Sequence, residues 1–145
     1  MKTLLEAEYE AILNAERDAI TIVAVDEASR TFHYKRFSRA CEFPAGMDAV
    51  RAVGRGPRQV LGDTLGADME KRYRQCVDTR AATSFEDQRV ESGTRRACRV
   101  TLTPLLERGA VVEIVVVSTN ITEMRRQREA LQEANDTRPP APVSG

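Results

Sequence analysis

The sequence predicts an α+β domain, and three features of its 145 residues support that prediction. Two β-branched strands open the domain, an amphipathic helix occupies its middle, and three strands lead into a charged helix near its end. β-Branched runs favour the extended backbone, whereas apolar side chains recurring every three to four residues favour a helix. We expect one domain with a sizeable core, because typical domains contain roughly 100 to 150 residues.

An amphipathic helix is predicted ahead of the first strand, over residues 1–17. Its apolar stripe is formed by Leu5, Tyr9, Ile12 and Leu13. These side chains have the i, i+4, i+7 and i+8 spacing of one helix face, so the helix needs a surface to lie on. Two strands follow, over residues 19–25 and 31–37, and the polar segment between them predicts an antiparallel hairpin.

The middle of the chain is predicted to be helical. Residues 38–62 contain proline and glycine at short intervals, which leaves room only for one-turn helices around 39–42, 48–52 and 57–61. A longer amphipathic helix then ends near Thr79, and its apolar face should close the core. The apolar stripe of that helix is Leu65, Met69, Tyr73, Cys76 and Val77.

Three further strands are predicted over residues 82–90, 95–106 and 110–119. The two turns between them are short and contain glycine, so the strands should form consecutive antiparallel hairpins. The last strand is apolar at both parities, which predicts that both of its faces are covered and that it lies in the middle of a sheet.

The last strand leads into an exit helix, predicted over residues 121–135, through Asn120, Ile121, Thr122 and Glu123. Asn120 can accept a hydrogen bond from a free amide at the helix start while Glu123 reaches back, as in a capping box. The junction should therefore be stiff. The exit helix either starts a parallel coiled coil or lies on the surface, and the proline-rich tail over 136–145 should be extended or disordered.

Composition excludes several classes of function. Lys plus Arg and Asp plus Glu number 22 each, so no basic field favours nucleic acid, and no apolar run approaches the roughly 20 residues of a membrane span. The three cysteines lack the Cys-x-x-Cys spacing of a zinc or redox pair, which predicts reduced thiols. We expect a cytoplasmic protein without a metal site or a nucleophilic catalytic site.

The order and spacing of these elements resemble a PAS domain over residues 9–131. In that family the last strand typically ends in Asp-Ile-Thr and an acidic residue, to which Asn120-Ile121-Thr122-Glu123 is similar. Further matches are residues 54–61 ahead of the long helix and Thr103-Pro104-Leu105 late in the fourth strand. Two positions depart from the family: Asn120 replaces the usual Asp, and Lys35 stands where an Asn often follows the second strand.

The resemblance implies a five-stranded antiparallel sheet with helices on one face, an internal pocket and flanking helices that carry a signal. It divides the chain into an N-terminal helix (1–17), a core (18–120), a signalling helix (121–135) and a tail (136–145). Such modules form the input parts of bacterial sensor histidine kinases and diguanylate cyclases. An output domain in cis would then belong to a longer protein.

The implied pocket would be lined by Tyr73, Cys76, Phe85, Val100 and Ser118. Arg99, Thr101 or Ser118 could supply polar groups, although an inward set of Cys98, Val100 and Leu102 would turn Arg99 and Thr101 outward. The alternative is that these side chains only fill the core.

No cofactor is predicted. The single histidine, His33, lies on the second strand, whereas the resemblance places a haem-binding histidine on the long helix. The Asn-Cys-Arg-Phe-Leu-Gln motif of flavin-binding relatives is not present in the sequence. A small ligand of unknown identity remains the expectation.

One face of the last strand, with Val111, Val115 and Val117 around Glu113, is too apolar for open solvent. Either the N-terminal helix or a second copy of the domain should cover it, and a homodimer would use both. The sequence therefore predicts a sensory module that relays ligand binding through its exit helix. The alternatives are a ligand-free dimerisation module and a small cone-shaped α+β enzyme, which would need an acid such as Glu86 or Asp87 facing an open cavity.

Overall fold

A computed structural model describes residues 19–91 and 94–137 of the chain. The predicted N-terminal helix with Leu5, Tyr9, Ile12 and Leu13 lies outside the described residues, as does the tail from residue 138 onward.

The described ranges contain five strands and four helices in the predicted order. They are β1 (Ala19–Asp26), β2 (Thr31–Phe37), α1 (Ala49–Ala52), α2 (Pro57–Leu61), α3 (Asp63–Thr79), β3 (Thr83–Glu91), β4 (Thr94–Glu107), β5 (Ala110–Asn120) and α4 (Thr122–Thr137). The predicted α+β class, with its antiparallel sheet and helices, is confirmed.

The one-turn helix predicted over residues 39–42 is wrong, because the segment forms a turn there. Its side chains bind the neighbouring strand instead of supporting a helix. The Ser38 hydroxyl accepts from the Ile20 amide at 2.9 Å, and the Cys41 thiol donates to the Ile20 carbonyl at 3.3 Å. These two bonds hold the segment against β1.

The five strands form one antiparallel sheet in the order β2-β1-β5-β4-β3. β5 therefore lies at the centre, as its apolar residues at both parities predicted. Its partners on the two sides are β1, which pairs with residues 113–118, and β4, which pairs along its whole length. A strand in this position has no free edge, so its displacement must involve the strands beside it.

The hairpin between β4 and β5 is turned by Arg108 and Gly109, whose φ angles are 53° and 81°. Positive φ at both central residues is the requirement of a two-residue turn that matches the twist of the flanking strands. Glycine adopts this conformation without a steric cost. The turn fixes the register in which β4 meets β5.

The core lies between one face of the sheet, called here the inner face, and α3. The largest buried side chains of this layer include Tyr73 from α3, Leu102 from β4 and Ile114 from β5, each 2 % exposed or less. α2 lies close to α3 at Gly66, where a Cβ would come within 2.5 Å of the Arg58 Cα. The helices thus cover the inner face, and the opposite, outer face carries a second, smaller apolar cluster.

Val111 was predicted on the outer face and lies instead in the inner core, 1 % exposed. The register of β4 and β5 shifts at this point, because Leu105 pairs with Glu113 whereas Leu106 pairs with Val111. The extra residue of the bulge reverses the side on which the side chain points. Val115 and Val117, beyond the bulge, keep the predicted outer orientation.

Among the helices of the described ranges, none has the length and apolar character needed to cross a membrane.

Candidate functional site

A small cavity lies between the inner face of the sheet and the helices. The strands contribute Thr21, Tyr34, Val100, Val116 and Ser118 to its wall, and the helices contribute Val60, Leu61, Leu65, Met69 and Tyr73. Its volume is about 80 Å³, measured as the space that the centre of a water molecule can reach. Glu42 and Leu65 are exposed to solvent, which places one side of the cavity at the surface.

Two tyrosine hydroxyls meet across the cavity. The hydroxyls of Tyr34 on β2 and Tyr73 on α3 lie 3.1 Å apart in a hydrogen bond in which either can donate. Both side chains are buried, at 4 % and 2 % exposure. Because a hydroxyl donates and accepts, this pair can reorganise toward a polar ligand group without leaving a buried oxygen unsatisfied.

Aromatic rings form one side of the same cavity. Phe37 packs on Tyr34 with ring centroids 5.4 Å apart, and it meets Phe43 edge to face at 4.9 Å. Phe43 is held there by the segment that Ser38 and Cys41 bind to β1. The wall is therefore mainly apolar with a few polar groups, which is the usual composition of a small-molecule site.

The structure brings three of the five predicted pocket residues, Tyr73, Val100 and Ser118, to the cavity wall. The other two lie elsewhere. Cys76 is fully buried beyond the wall, and burial raises the pKa of its thiol. Phe85 packs at the edge of the core with the guanidinium of Arg72 over its ring, 3.5 Å from the centroid. Both side chains point inward as expected. Cys76 lies one helix turn beyond Tyr73, and Phe85 lies on β3, one strand beyond Val100.

Four further residues of the cavity wall were not predicted from the sequence: Tyr34, Phe37, Phe43 and Met69. Tyr34 could have been found, because it shares the inward parity of β2 with Phe32. Phe43 could not, because its position depends on contacts of a loop with β1. Arg99 and Thr101 point to the outer face, where they bind Glu86 and Ser84.

β5 continues from the cavity wall into the exit helix. Ser118 lines the cavity, and Asn120, two residues later, accepts a hydrogen bond from the Thr122 amide at 2.9 Å. Ile121 is 3 % exposed, and its carbonyl accepts the first helical bond from Arg125. Glu123 is exposed, and within residues 120–123 the structure shows the Asn120 half of the expected capping box only.

The junction is also fastened to β4. The Ile121 amide donates to the Ala97 carbonyl at 2.8 Å, and the Thr122 hydroxyl accepts from the Ala97 amide at 2.8 Å. The same hydroxyl lies 3.5 Å from the Ala97 carbonyl, to which it can donate. Both polar groups of one β4 residue are thus bound by the two residues that start α4.

A charged cluster ties α4 to the outer face of the sheet. Glu86 on β3 binds Arg125 of α4 and Arg99 of β4, the latter at 3.2 Å. These hydrogen bonds, with Arg125 first, hold the pKa of the Glu86 carboxyl below its usual value. The cluster offers α4 a second attachment besides the Ala97 bonds.

The outer face carries Ile20 and Ile22 of β1 together with Val115 and Val117 of β5. Ile22 is 1 % exposed, whereas the two valines are partly buried. His33 is exposed on β2, and its neighbour Lys35 pairs with Glu113 on the outer face. Within residues 19–91 and 94–137, no group of three or more His, Cys, Asp or Glu side chains is arranged to hold a metal.

A family model described as PAS fold matches residues 15–126. No curated protein matches the chain.

Three solved structures illustrate the similarity of fold. An RNA-binding light-oxygen-voltage receptor is 16% identical with a TM-score of 0.62, and the match covers 93% of this chain and 40% of that one. The VqmA dimer of Vibrio cholerae, a LuxR-type receptor, is 14% identical with a TM-score of 0.65, at 86% and 53% coverage. The PAS domain of BvgS from Bordetella pertussis is 17% identical with a TM-score of 0.55, at 88% and 93% coverage.

The chain spans less than two thirds of the receptor and of VqmA, and almost all of the BvgS domain. At these identities the likeness concerns the fold alone.

Proposed function

The chain belongs to the PAS-fold family, and on that premise we propose that it binds a small ligand in the cavity and relays the change through α4 to an output domain. PAS domains are sensory modules of signalling proteins and in general are not catalytic. The output domain in this proposal is a histidine kinase or a diguanylate cyclase of a two-component or related pathway.

One observation supports the relay above all others. Ser118 in the cavity wall lies on β5, which ends at Asn120 and continues directly into Ile121, Thr122 and Glu123 at the start of α4. This junction is hydrogen-bonded to Ala97 on β4. A ligand that displaces the part of the wall on β5 or β4, at Ser118 or Val100, would therefore also displace the first turn of α4. A ligand acts only by its difference in affinity for two arrangements, and about 1 to 3 kcal/mol of coupling gives a response of about 5- to 150-fold.

A homodimer is part of the proposal. Val115 and Val117 are only partly buried on the outer face, and a second copy, together with the predicted helix carrying Leu5, Tyr9, Ile12 and Leu13, would complete their burial. A cytoplasmic location is consistent with the three free cysteines, because cysteines in an oxidising compartment tend to form disulfides. Absence of nucleic-acid binding stays a prediction from the zero net charge.

A dimerisation module without a ligand is the second candidate, and the small volume of the cavity favours it. The enzyme alternative required an inward acid with a raised pKa, such as Glu86 or Asp87. Glu86 lies on the outer face and its pKa is lowered, so this carboxylate gives the enzyme alternative no support.

Native mass spectrometry of the purified protein tests the proposal. We expect a non-covalently bound small molecule in the wild type and its loss in Ser118→Leu, which fills the cavity. Thr119→Leu places the same side chain on the outer face and should retain the molecule. A wild-type protein that carries no such molecule, and that no metabolite stabilises in a thermal-shift screen, would favour the dimerisation module.

A further inference from the structure

The size of the cavity limits the ligand. An enclosed apolar cavity of about 150 Å³ takes benzene, so a cavity of about 80 Å³ has room for at most one ring. A monocyclic molecule fits with one edge in the opening beside Glu42 and Leu65. Flavin and haem are several times larger and would require the core between β5 and α3 to open.

The charge of the wall limits the ligand further. In the described part of the chain, the wall has no lysine, arginine or histidine, and its one charged residue is Glu42, exposed at the opening. A carboxylate placed beside Tyr34 and Tyr73 would lose its hydration without gaining a cationic partner, which strongly disfavours its binding. The cavity therefore selects against anions.

The polar groups of the wall are hydroxyls, which both donate and accept. Tyr34 and Tyr73 supply a hydrogen-bonded pair from opposite sides, and Thr21 and Ser118 add two more hydroxyls from β1 and β5. The remaining wall near this pair consists of the rings of Phe37 and Phe43 and of aliphatic side chains. Aromatic rings favour offset or edge-to-face contacts with another ring.

We infer that the cavity takes a small, uncharged, monocyclic aromatic molecule whose hydroxyl or amide group hydrogen-bonds to the Tyr34 and Tyr73 pair. This inference rests on the proposed sensory function, since it names the class of ligand for the same cavity. The aromatic side chains of the wall favour an aromatic ligand, and the volume limits it to one ring. The hydroxyl pair, in a wall without cations, favours a neutral polar group on that ring.

Two matched pairs of probes test the inference by NMR titration of the isotope-labelled protein. Phenol and toluene have the same size and differ in a hydroxyl, and 2-furamide and 2-furoate have the same size and differ in charge. We expect phenol to bind about fivefold more tightly than toluene, and 2-furamide at least about tenfold more tightly than 2-furoate. Equal binding within either pair, or no binding by any of the four, would overturn the inference.

Variants identify the hydrogen-bonding pair. Tyr73→Phe should weaken phenol about fivefold and leave toluene unchanged, because it removes one hydroxyl and keeps the ring. Ser84→Ala removes a hydroxyl from the outer face and should change neither affinity. If Tyr73→Phe does not fold, Tyr34→Phe serves the same purpose. Equal phenol affinity in the Tyr→Phe and Ser84→Ala proteins would contradict the assignment of the pair.

The inference and the sensory function can fail separately. An anionic or polycyclic molecule that native mass spectrometry finds in the wild type and not in Ser118→Leu would overturn the inference while supporting the sensory function. Failure of all four probes together with an empty wild-type protein and a negative metabolite screen would count against both.

Discussion

At the scale of single residues, Thr122 makes the side-chain and backbone hydrogen bonds that hold the junction together. Its hydroxyl binds the Ala97 amide at 2.8 Å, and its own amide binds the side chain of Asn120 at 2.9 Å. A residue that connects β4 and the end of β5 to the first turn of α4 fixes the direction in which that helix leaves the sheet. The same role is open to serine but not to valine, which has no hydroxyl.

Thr122→Val should therefore lower the free energy of unfolding by about 1 to 2 kcal/mol, because it leaves the Ala97 amide without its partner. Urea denaturation measures this change. Thr119→Val makes the same substitution on the outer face, three residues earlier, and should change stability by less than about 0.5 kcal/mol. Equal effects of the two substitutions would show that the Thr122 hydroxyl does not hold the junction.

At the scale of elements, α2 and α3 can approach each other closely because Gly66 has no side chain between them. A Cβ there would meet the Arg58 Cα at 2.5 Å and the Pro57 carbonyl at 2.8 Å, and both are backbone atoms that cannot rotate away. α2 contributes Val60 and Leu61 to the cavity wall, so this close approach also sets one side of the cavity.

Gly66→Ala should destabilise the domain by about 1 to 3 kcal/mol through overpacking, although alanine ordinarily stabilises a helix interior by about 1 kcal/mol relative to glycine. Thermal or urea denaturation gives the sign directly. Thr64→Ala, at an exposed position of the same helix, should be neutral or slightly stabilising. A stabilised Gly66→Ala protein would mean that α2 and α3 are farther apart than the structure shows.

The link between α4 and the sheet depends on pH through Glu86. The bonds to Arg125 and Arg99 lower the pKa of this carboxyl from its ordinary value of 4.5, so its stabilising contribution is present above that value. The contribution is lost as the pH falls through the lowered pKa, because the protonated group no longer pairs with the arginines. High salt should weaken it, since the cluster is exposed.

Wild type should therefore exceed Glu86→Gln in stability at pH 6 to 7, and the difference should shrink below about pH 4.5, the ordinary pKa of the group. Urea denaturation between pH 3 and 7 measures this, with Glu129→Gln, farther along α4, as the control. A difference that stays constant across this range would exclude the ionised form of Glu86 as the source.

Much of the fold was predictable because its elements have strong local signals. The β-branched run of β5 predicted a central strand, and Asn120-Ile121-Thr122-Glu123 predicted the position of the junction.

The cavity was only partly predictable. Phe43 reaches it through a loop whose path depends on contacts with β1, and the bulge near Val111 changes a side-chain direction that strict alternation would place outside. Glu86 meets Arg99 through the sheet register and Arg125 through the direction of α4, and spacing along the chain specifies neither.

At the scale of the whole molecule, the domain has two incompletely buried apolar surfaces. The outer face carries the Val115 and Val117 patch, and α4 follows the C-terminal end of the same strand with Met124 and Leu131 exposed at 51 % and 67 %. In the proposed homodimer the first surface joins two copies, and the second is free to connect each copy to its output domain.

Val117→Glu should convert the dimer to a monomer, because a carboxylate in the apolar interface would be buried without a partner. Analytical ultracentrifugation measures the mass, and far-UV circular dichroism checks that the domain still folds. Thr64→Glu places the same charge at an exposed position of α3, in the helix layer on the other side of the sheet, and should leave the dimer intact. A wild-type protein that sediments as a monomer would contradict the dimer outright.

The central claim is that β5 and the start of α4 form one continuous, rigid unit. Hydrogen–deuterium exchange of the wild-type protein, resolved along residues 114–130, measures this most directly. We expect slow exchange in β5, at the hydrogen-bonded Ile121 amide, and again from Arg125, where the helical bonds of α4 begin, to about Glu129. Rapid exchange at Ile121 and from Arg125 onward, beside a protected β5, would show that the helix is detached from the sheet and would contradict the relay.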